Sequence, residues 1–128
     1  MNYDTAIDII KVKIPIRLRS EANIAEHWRK KYAYRKKMLK IVDAYFPKNL
    51  PKLPCNITIT RIAPRTLDDD NFVYSCKNLR DYIADKLIPN LAPGRADNSN
   101  KICFNYQQKK GNPKEYAVEL IFEHALLI

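Results

Sequence analysis

Three consecutive carboxylates, Asp68, Asp69 and Asp70, are the strongest candidates in this sequence for a metal-binding or catalytic site. Asn71 follows them at once, and the surrounding chain carries a net charge of +9. Carboxylates that lie close together repel each other, and a divalent cation relieves that repulsion. Hard oxygen ligands favour Mg²⁺ or Mn²⁺ over Zn²⁺. The acidic run therefore predicts the metal site of a nuclease on a DNA-binding surface.

A second interpretation of the same run is a helix cap. Asp70 and Asn71 fit an N-cap, and acidic residues before a helix also favour its dipole. A calcium loop counted from Asp68 would need glycine at its sixth position and glutamate at its twelfth. The chain has Val73 and Leu79 there. The residues alone leave the cap and the magnesium site open.

The segment after the acidic run predicts one helix that ends near residue 87. Its apolar residues recur every three or four positions, which marks one buried stripe: Phe72, Cys76, Leu79, Ile83 and Leu87. Lys77 lies about 10 Å along the axis from Asp70 at about 1.5 Å per residue, so it could reach a phosphate held at the acidic run. Asp81 lies about 16 Å away, too far to share the ion. We expect it to pair with Lys77 or Arg80, or to support the metal ligands.

Length and composition bound the possible partners. With 128 residues and 46% hydrophobic content, residues 1–128 should form one domain. The sequence pI near 9.5 favours nucleic acid first and an anionic membrane surface second. No apolar run is long enough to span a bilayer and no signal-peptide pattern is present, so we expect a cytoplasmic protein. Three widely spaced cysteines indicate free thiols, and two glycines exclude a glycine-rich phosphate loop.

A long basic helix is predicted over residues 21–46, with Ser20 as its cap. Its apolar side would carry Ile24, Trp28, Tyr32, Met38, Leu39, Val42, Tyr45 and Phe46. The other side is crowded with cations, namely Arg29, Lys30, Lys31, Arg35, Lys36, Lys37 and Lys40. So many like charges would repel unless an anion approaches, and phosphate contact supplies affinity without sequence readout.

The predicted DNA contacts are Arg29, Lys30, Lys36, Lys37, Lys40 and Arg65. The alternative for such a charged face is a solvated helix surface. Among the aromatic residues, we expect His27 and Trp28 to pack against the protein, whereas Tyr32 and Tyr34 could stack on bases.

Four segments have strand patterns: residues 7–18, 55–62, 101–107 and 116–123. Pro15 cannot donate a ladder bond, so the first strand should lie at a sheet edge or end there. A loop over residues 88–100 carries Asp97 and Asn98, and a polar turn is expected over residues 107–114. The element order β-α-β-α-β-β predicts a small α/β (α+β) fold, a mixed sheet packed with two helices.

Residues 65–98 resemble the RusA-type Holliday junction resolvases, especially their phage-encoded relatives. The family motif is Asp-x-Asp-Asn, then a helix with Lys and Asp, then a loop that ends in paired acids. The matching positions here are Asp68 to Asn71, Lys77 and Asp81 on the helix, and Asp97-Asn98 in the loop.

The resemblance implies a RusA-like fold and a homodimeric, Mg²⁺-dependent endonuclease that cuts four-way DNA junctions in recombination and repair. It also implies that the host cell is a bacterium, whether or not it is infected by a phage. It implies that Asp68 and Asp70 bind the metal, that Lys77 stabilises charge on the phosphate, and that Asn71 and Asp81 support the ligands. The third carboxylate would come from Asp97-Asn98.

The sequence departs from the family at Asn98, where the family has its catalytic carboxylate. Asp97 could take over this role, or Asn98 could bind the metal through its neutral carbonyl. A third possibility is a silent DNA-binding protein that has lost catalysis. Since no histidine is placed as a general base, metal-activated water would attack the phosphodiester, with Mn²⁺ able to replace Mg²⁺.

Overall fold

A computed structural model describes residues 9–19, 27–89 and 101–124. Its elements are β1 (Ile9–Ile14), α1 (Trp28–Tyr45), β2 (Cys55–Ala63), α2 (Asp69–Ser75), α3 (Lys77–Leu87), β3 (Ile102–Lys110) and β4 (Ala117–His124). The predicted mixed α+β fold is confirmed. The segment expected to form one second helix is divided into α2 and α3.

The sheet has the strand order β1-β4-β2-β3. Strand β4 pairs antiparallel with both β1 and β2, whereas β2 and β3 run parallel. Parallel neighbours need a crossover connection, which α2 and α3 supply here. Strand β1 lies at one edge and ends just before Pro15, as the missing N–H of that proline predicts.

The core lies between one face of the sheet and the helices. Alternate residues of the central strands are fully buried, including Ile57 and Ile59 of β2 and Leu120 and Phe122 of β4. The predicted stripe of the second helical segment is also buried: Phe72, Cys76, Leu79, Ile83 and Leu87. Because the helices cover only this face, β1 shows the alternation predicted for a half-exposed strand.

Four boundaries differ from the expectations by more than one residue. Strand β1 ends at Ile14, whereas its pattern predicted a strand as far as residue 18. Helix α1 begins at Trp28, because His27 is extended and accepts a hydrogen bond from the Arg29 N–H at 3.1 Å; the predicted cap Ser20 lies outside the described residues. The second helical segment is interrupted at Cys76, whose φ and ψ are −86° and −7°. Strand β3 continues to Lys110, so the turn before β4 begins later than predicted.

The turn between β3 and β4 passes the end of β2. The Gly111 N–H donates to the Ala63 carbonyl at 2.8 Å. A Cβ at position 111 would lie 2.9 Å from Glu115 Oε1 and 3.1 Å from Ile62 Cγ2, so a larger residue there would have to displace the Glu115 carboxylate and shift Ile62 slightly. Within the described ranges, no helix combines the length and apolarity needed to cross a bilayer.

Candidate nucleic-acid interface and acidic loop

Asp68 is the N-cap of α2, a role that the sequence analysis gave to Asp70 and Asn71. Its Oδ1 accepts the Asn71 backbone N–H at 2.9 Å, and its Oδ2 accepts the Asn71 side-chain amide at 3.1 Å. Asn71 therefore fixes the orientation of this carboxylate. An ionised carboxylate offers about four lone-pair positions, so both Asp68 oxygens retain capacity for a further partner.

The other two carboxylates of the acidic run have different surroundings. Asp69 lines a cavity of about 400 Å³ together with Phe72, Val73, Tyr106, Gln107 and Gln108. Asp70 is exposed in the first turn of α2. Oxygen donors of this kind suit Mg²⁺ or Mn²⁺. In the described ranges, however, no three His, Cys, Asp or Glu side chains come together as a metal site. The predicted ligands Asp97 and Asn98 lie outside those ranges.

Gln108 of β3 holds the loop that carries the acidic run. Its Oε1 accepts the Leu67 N–H at 2.9 Å, and its Nε2 donates to the Leu67 carbonyl at 2.8 Å. The Arg61 guanidinium supports the same loop, because it donates to the Arg65 carbonyl at 2.8 Å and to Gln108 Oε1 at 3.5 Å. The backbone immediately before Asp68 is thus fixed by side chains from two strands. Sequence patterns gave no signal for the contacts between Gln108 and Leu67, which lie 41 positions apart.

A polar cavity of about 380 Å³ lies between α1 and the α2–α3 segment. Its lining residues are Lys31, Arg35, Tyr74, Lys77, Asn78 and Asp81. We call it the helix groove. Lys77 forms an ion pair with Asp81 at 3.6 Å, which confirms one of the partners predicted for Asp81. The predicted axial distance from Asp70 to Lys77 was calculated for one straight helix. Because the helix is interrupted at Cys76, that distance does not apply to the structure.

The predicted DNA contacts are all exposed: Arg29, Lys30, Lys36, Lys37, Lys40 and Arg65. Five of them lie on α1, and Arg65 lies in the loop before the acidic run. Lys31 and Arg35, which line the helix groove with Lys77, were not among the predicted contacts. Their spacing of four residues places them on one face of α1, a signal that the sequence already contained.

The aromatic residues of α1 do not follow the predicted apolar side. Trp28 is 65% exposed, so the expectation that it packs against the protein is wrong. Tyr32 is 55% exposed, whereas Tyr34 is half-buried and donates its hydroxyl to the Arg17 carbonyl. The Arg19 guanidinium lies 3.9 Å from the centroid of the Tyr34 ring. Tyr32 therefore remains accessible to a base, and Tyr34 is engaged within the protein.

Comparison of the sequence with protein-family models gives no match, and a search among curated proteins gives none either.

Proposed function

We propose that this protein is a Mg²⁺-dependent DNA endonuclease of the Holliday junction resolvase type, which hydrolyses phosphodiesters in branched DNA. The observation that carries the proposal is the helix groove, where Lys31 and Arg35 of α1 lie with Lys77 of α3 around one cavity. The groove adjoins the segment that contains the acidic run, since Tyr74 lines it one helical turn after Asp70.

The charges of the helix groove suit a DNA backbone. Three cationic side chains and one carboxylate line it, so its lining is net positive. Lys77 is 57% exposed, and exposed ion pairs contribute about 0 to 1 kcal/mol. Lys77 would therefore lose little free energy if it released the Asp81 carboxylate and bound a phosphate oxygen instead. Charge-assisted hydrogen bonds from Lys and Arg would hold the phosphate in position.

The acidic run supplies the complementary part of the proposed site. Asp68 and Asp70 would hold Mg²⁺ or Mn²⁺ together with Asp97 or Asn98, and the ion would activate water and neutralise charge on the scissile phosphate. Asn71 orients the Asp68 carboxylate through its two hydrogen bonds. Lys77 would stabilise the charge that develops on the phosphate oxygens. A homodimer would present two such sites to opposed strands of a junction.

A nicking assay on synthetic four-way junctions tests the proposal. We expect cleavage in Mg²⁺ by the wild type and its loss in Asp70→Asn. Glu123→Gln is the matched control, because it also neutralises one exposed carboxylate but lies at the far end of β4. Equal activity of wild type and Asp70→Asn would refute the assignment of Asp70 as a ligand.

DNA binding is tested separately with two charge-neutralised variants. Lys30→Gln/Lys36→Gln/Lys37→Gln should weaken binding and flatten its salt dependence, because the log–log slope changes by about 0.9 for each duplex phosphate that is no longer neutralised. Lys31→Gln/Arg35→Gln tests the helix groove in the same way. If binding is unchanged in both variants, α1 does not form the DNA surface.

The second candidate function is DNA binding without cleavage. The cap geometry of Asp68 favours it, because hydrogen bonds to the Asn71 N–H and amide give this carboxylate a structural role without a metal. Tight binding of a junction with no nicking in either Mg²⁺ or Mn²⁺ would establish this alternative.

A further inference from the structure

Arg61 is a buried cation that donates its hydrogen bonds to neutral oxygens. Its side chain points from β2 into the protein, and the residue is only 6% exposed. The three acceptors are the Leu18 carbonyl at 2.8 Å, the Arg65 carbonyl at 2.8 Å and Gln108 Oε1 at 3.5 Å. Among the residues that the structure describes, no Asp or Glu pairs with it. Buried charges are normally paired, so this arrangement calls for an anion.

Two further arginines line the same cavity. The cavity has a volume of about 260 Å³ and is lined by Arg17, Arg61, Ala63, Pro64, Arg65, Leu67 and Tyr116. We call it the arginine pocket. The Arg17 guanidinium lies 4.4 Å from the centroid of the Tyr116 ring, so this side chain is held at the pocket wall. Within the described part of the chain, the charged residues that line the pocket are all cations.

Electrostatics within the protein agree with this geometry. Burial and the neighbouring Arg17 charge lower the pKa of Arg61 from its ordinary value. Both causes disfavour the cation, and both would be offset by an anion in the pocket. Arginine forks match the oxygen geometry of phosphate, and they can bind it through two parallel hydrogen bonds.

We propose that the arginine pocket binds one phosphate group through Arg17, Arg61 and Arg65. The group is either a backbone phosphate of a bound nucleic acid or a free phosphate ion. The assignment to a backbone phosphate rests on the proposed function, whereas the proposal that the pocket binds a phosphate group does not. Along the chain, Arg65 and Leu67 of the arginine pocket precede the acidic run, and Tyr74 and Lys77 of the helix groove follow it. A DNA strand that occupied both cavities would contact residues that flank the acidic run in the chain.

The first test is thermal unfolding of the full chain in phosphate against chloride at equal ionic strength. An anion that binds only the native state raises Tm by roughly 4 to 7 °C at ten times its dissociation constant for a chain of this size. We expect this shift in the wild type and its loss in Arg17→Gln/Arg65→Gln, two exposed positions whose replacement leaves Arg61 in place. Lys11→Gln/Lys48→Gln, which removes two exposed charges elsewhere, should keep the shift.

The second test separates the two sources of phosphate. If the occupant is a backbone phosphate, Arg17→Gln/Arg65→Gln lowers the magnitude of the salt slope of duplex DNA binding by about 0.9 more than the lysine control does. A phosphate-specific Tm shift with slopes equal to the control assigns the pocket to free phosphate. The proposal is overturned if the wild type shows no phosphate-specific shift and the two variants bind DNA alike. Neither measurement depends on metal or cleavage, so failure of the nuclease proposal would be recognised separately.

Discussion

Replacement of Gln108 by alanine removes the side chain that fixes the acidic loop. The Gln108 amide makes one hydrogen bond to the Leu67 N–H and one to the Leu67 carbonyl, at 2.9 and 2.8 Å. A net contribution of about 1 kcal/mol for each bond predicts a loss of about 2 kcal/mol in the free energy of unfolding. With about 2.1 cal/mol/K of unfolding entropy per residue over 128 residues, this loss lowers Tm by roughly 7 °C.

Urea and thermal unfolding of Gln108→Ala measure this loss directly. Gln107→Ala is the matched control, because Gln107 is the preceding residue of β3 and is exposed, and both hydrogen bonds to Leu67 come from Gln108. The control should change the free energy of unfolding by no more than about 0.5 kcal/mol. Equal stability of the two variants would refute the conclusion that Gln108 holds the loop. If the nuclease proposal holds, Gln108→Ala should also cleave more slowly at temperatures where it remains folded, since Asp68 directly follows the loosened backbone.

Two further predictions concern ionisable groups. The Tyr82 hydroxyl donates to Asp43, and together with the Lys86 ammonium it holds the pKa of the Asp43 carboxyl below its ordinary value. This stabilisation is complete above the unfolded-state pKa and is lost as pH falls through the lower folded-state pKa. Asp43→Asn should therefore flatten the acid limb of a urea-midpoint profile below about pH 5, and an unchanged limb would contradict the prediction. Burial raises the pKa of Cys55 to about 11 and of Cys76 to about 12, so exposed Cys103 should react first with a thiol reagent near pH 8, and Cys103→Ser should abolish the fast phase.

Local patterns predicted most of the fold. Strict alternation identified β1, and the lack of an N–H at Pro15 placed it at the sheet edge. Apolar spacing identified the buried face of the α2–α3 segment, because that face packs on the sheet with helical periodicity. The same pattern did not reveal the interruption at Cys76, since this residue is fully buried and fits the stripe whether the helix is continuous or broken.

The candidate site was less predictable, because long-range contacts determine it. An aromatic residue at a helical spacing predicts burial, yet Trp28 is mostly exposed to solvent. The exchange of hydrogen bonds between Gln108 and Leu67, and the convergence of Arg17 on Arg61, follow from strand register and loop path. A single sequence does not encode these placements in any local period, so composition and spacing predicted candidate residues but not the contacts that position them.

The strand order has a consequence for how the chain reaches its native state. Strand β4 lies between β1 and β2, so β1 has no neighbour in the sheet until residues 117–124 have been synthesised. Each strand pairing joins segments that are distant in sequence. The chain must therefore lose the entropy of closing large loops before the strand contacts stabilise it, so a fold of this topology forms slowly. On the ribosome, the apolar side of β1 would remain unpaired while more than a hundred residues are synthesised, which leaves this strand open to aggregation during that time.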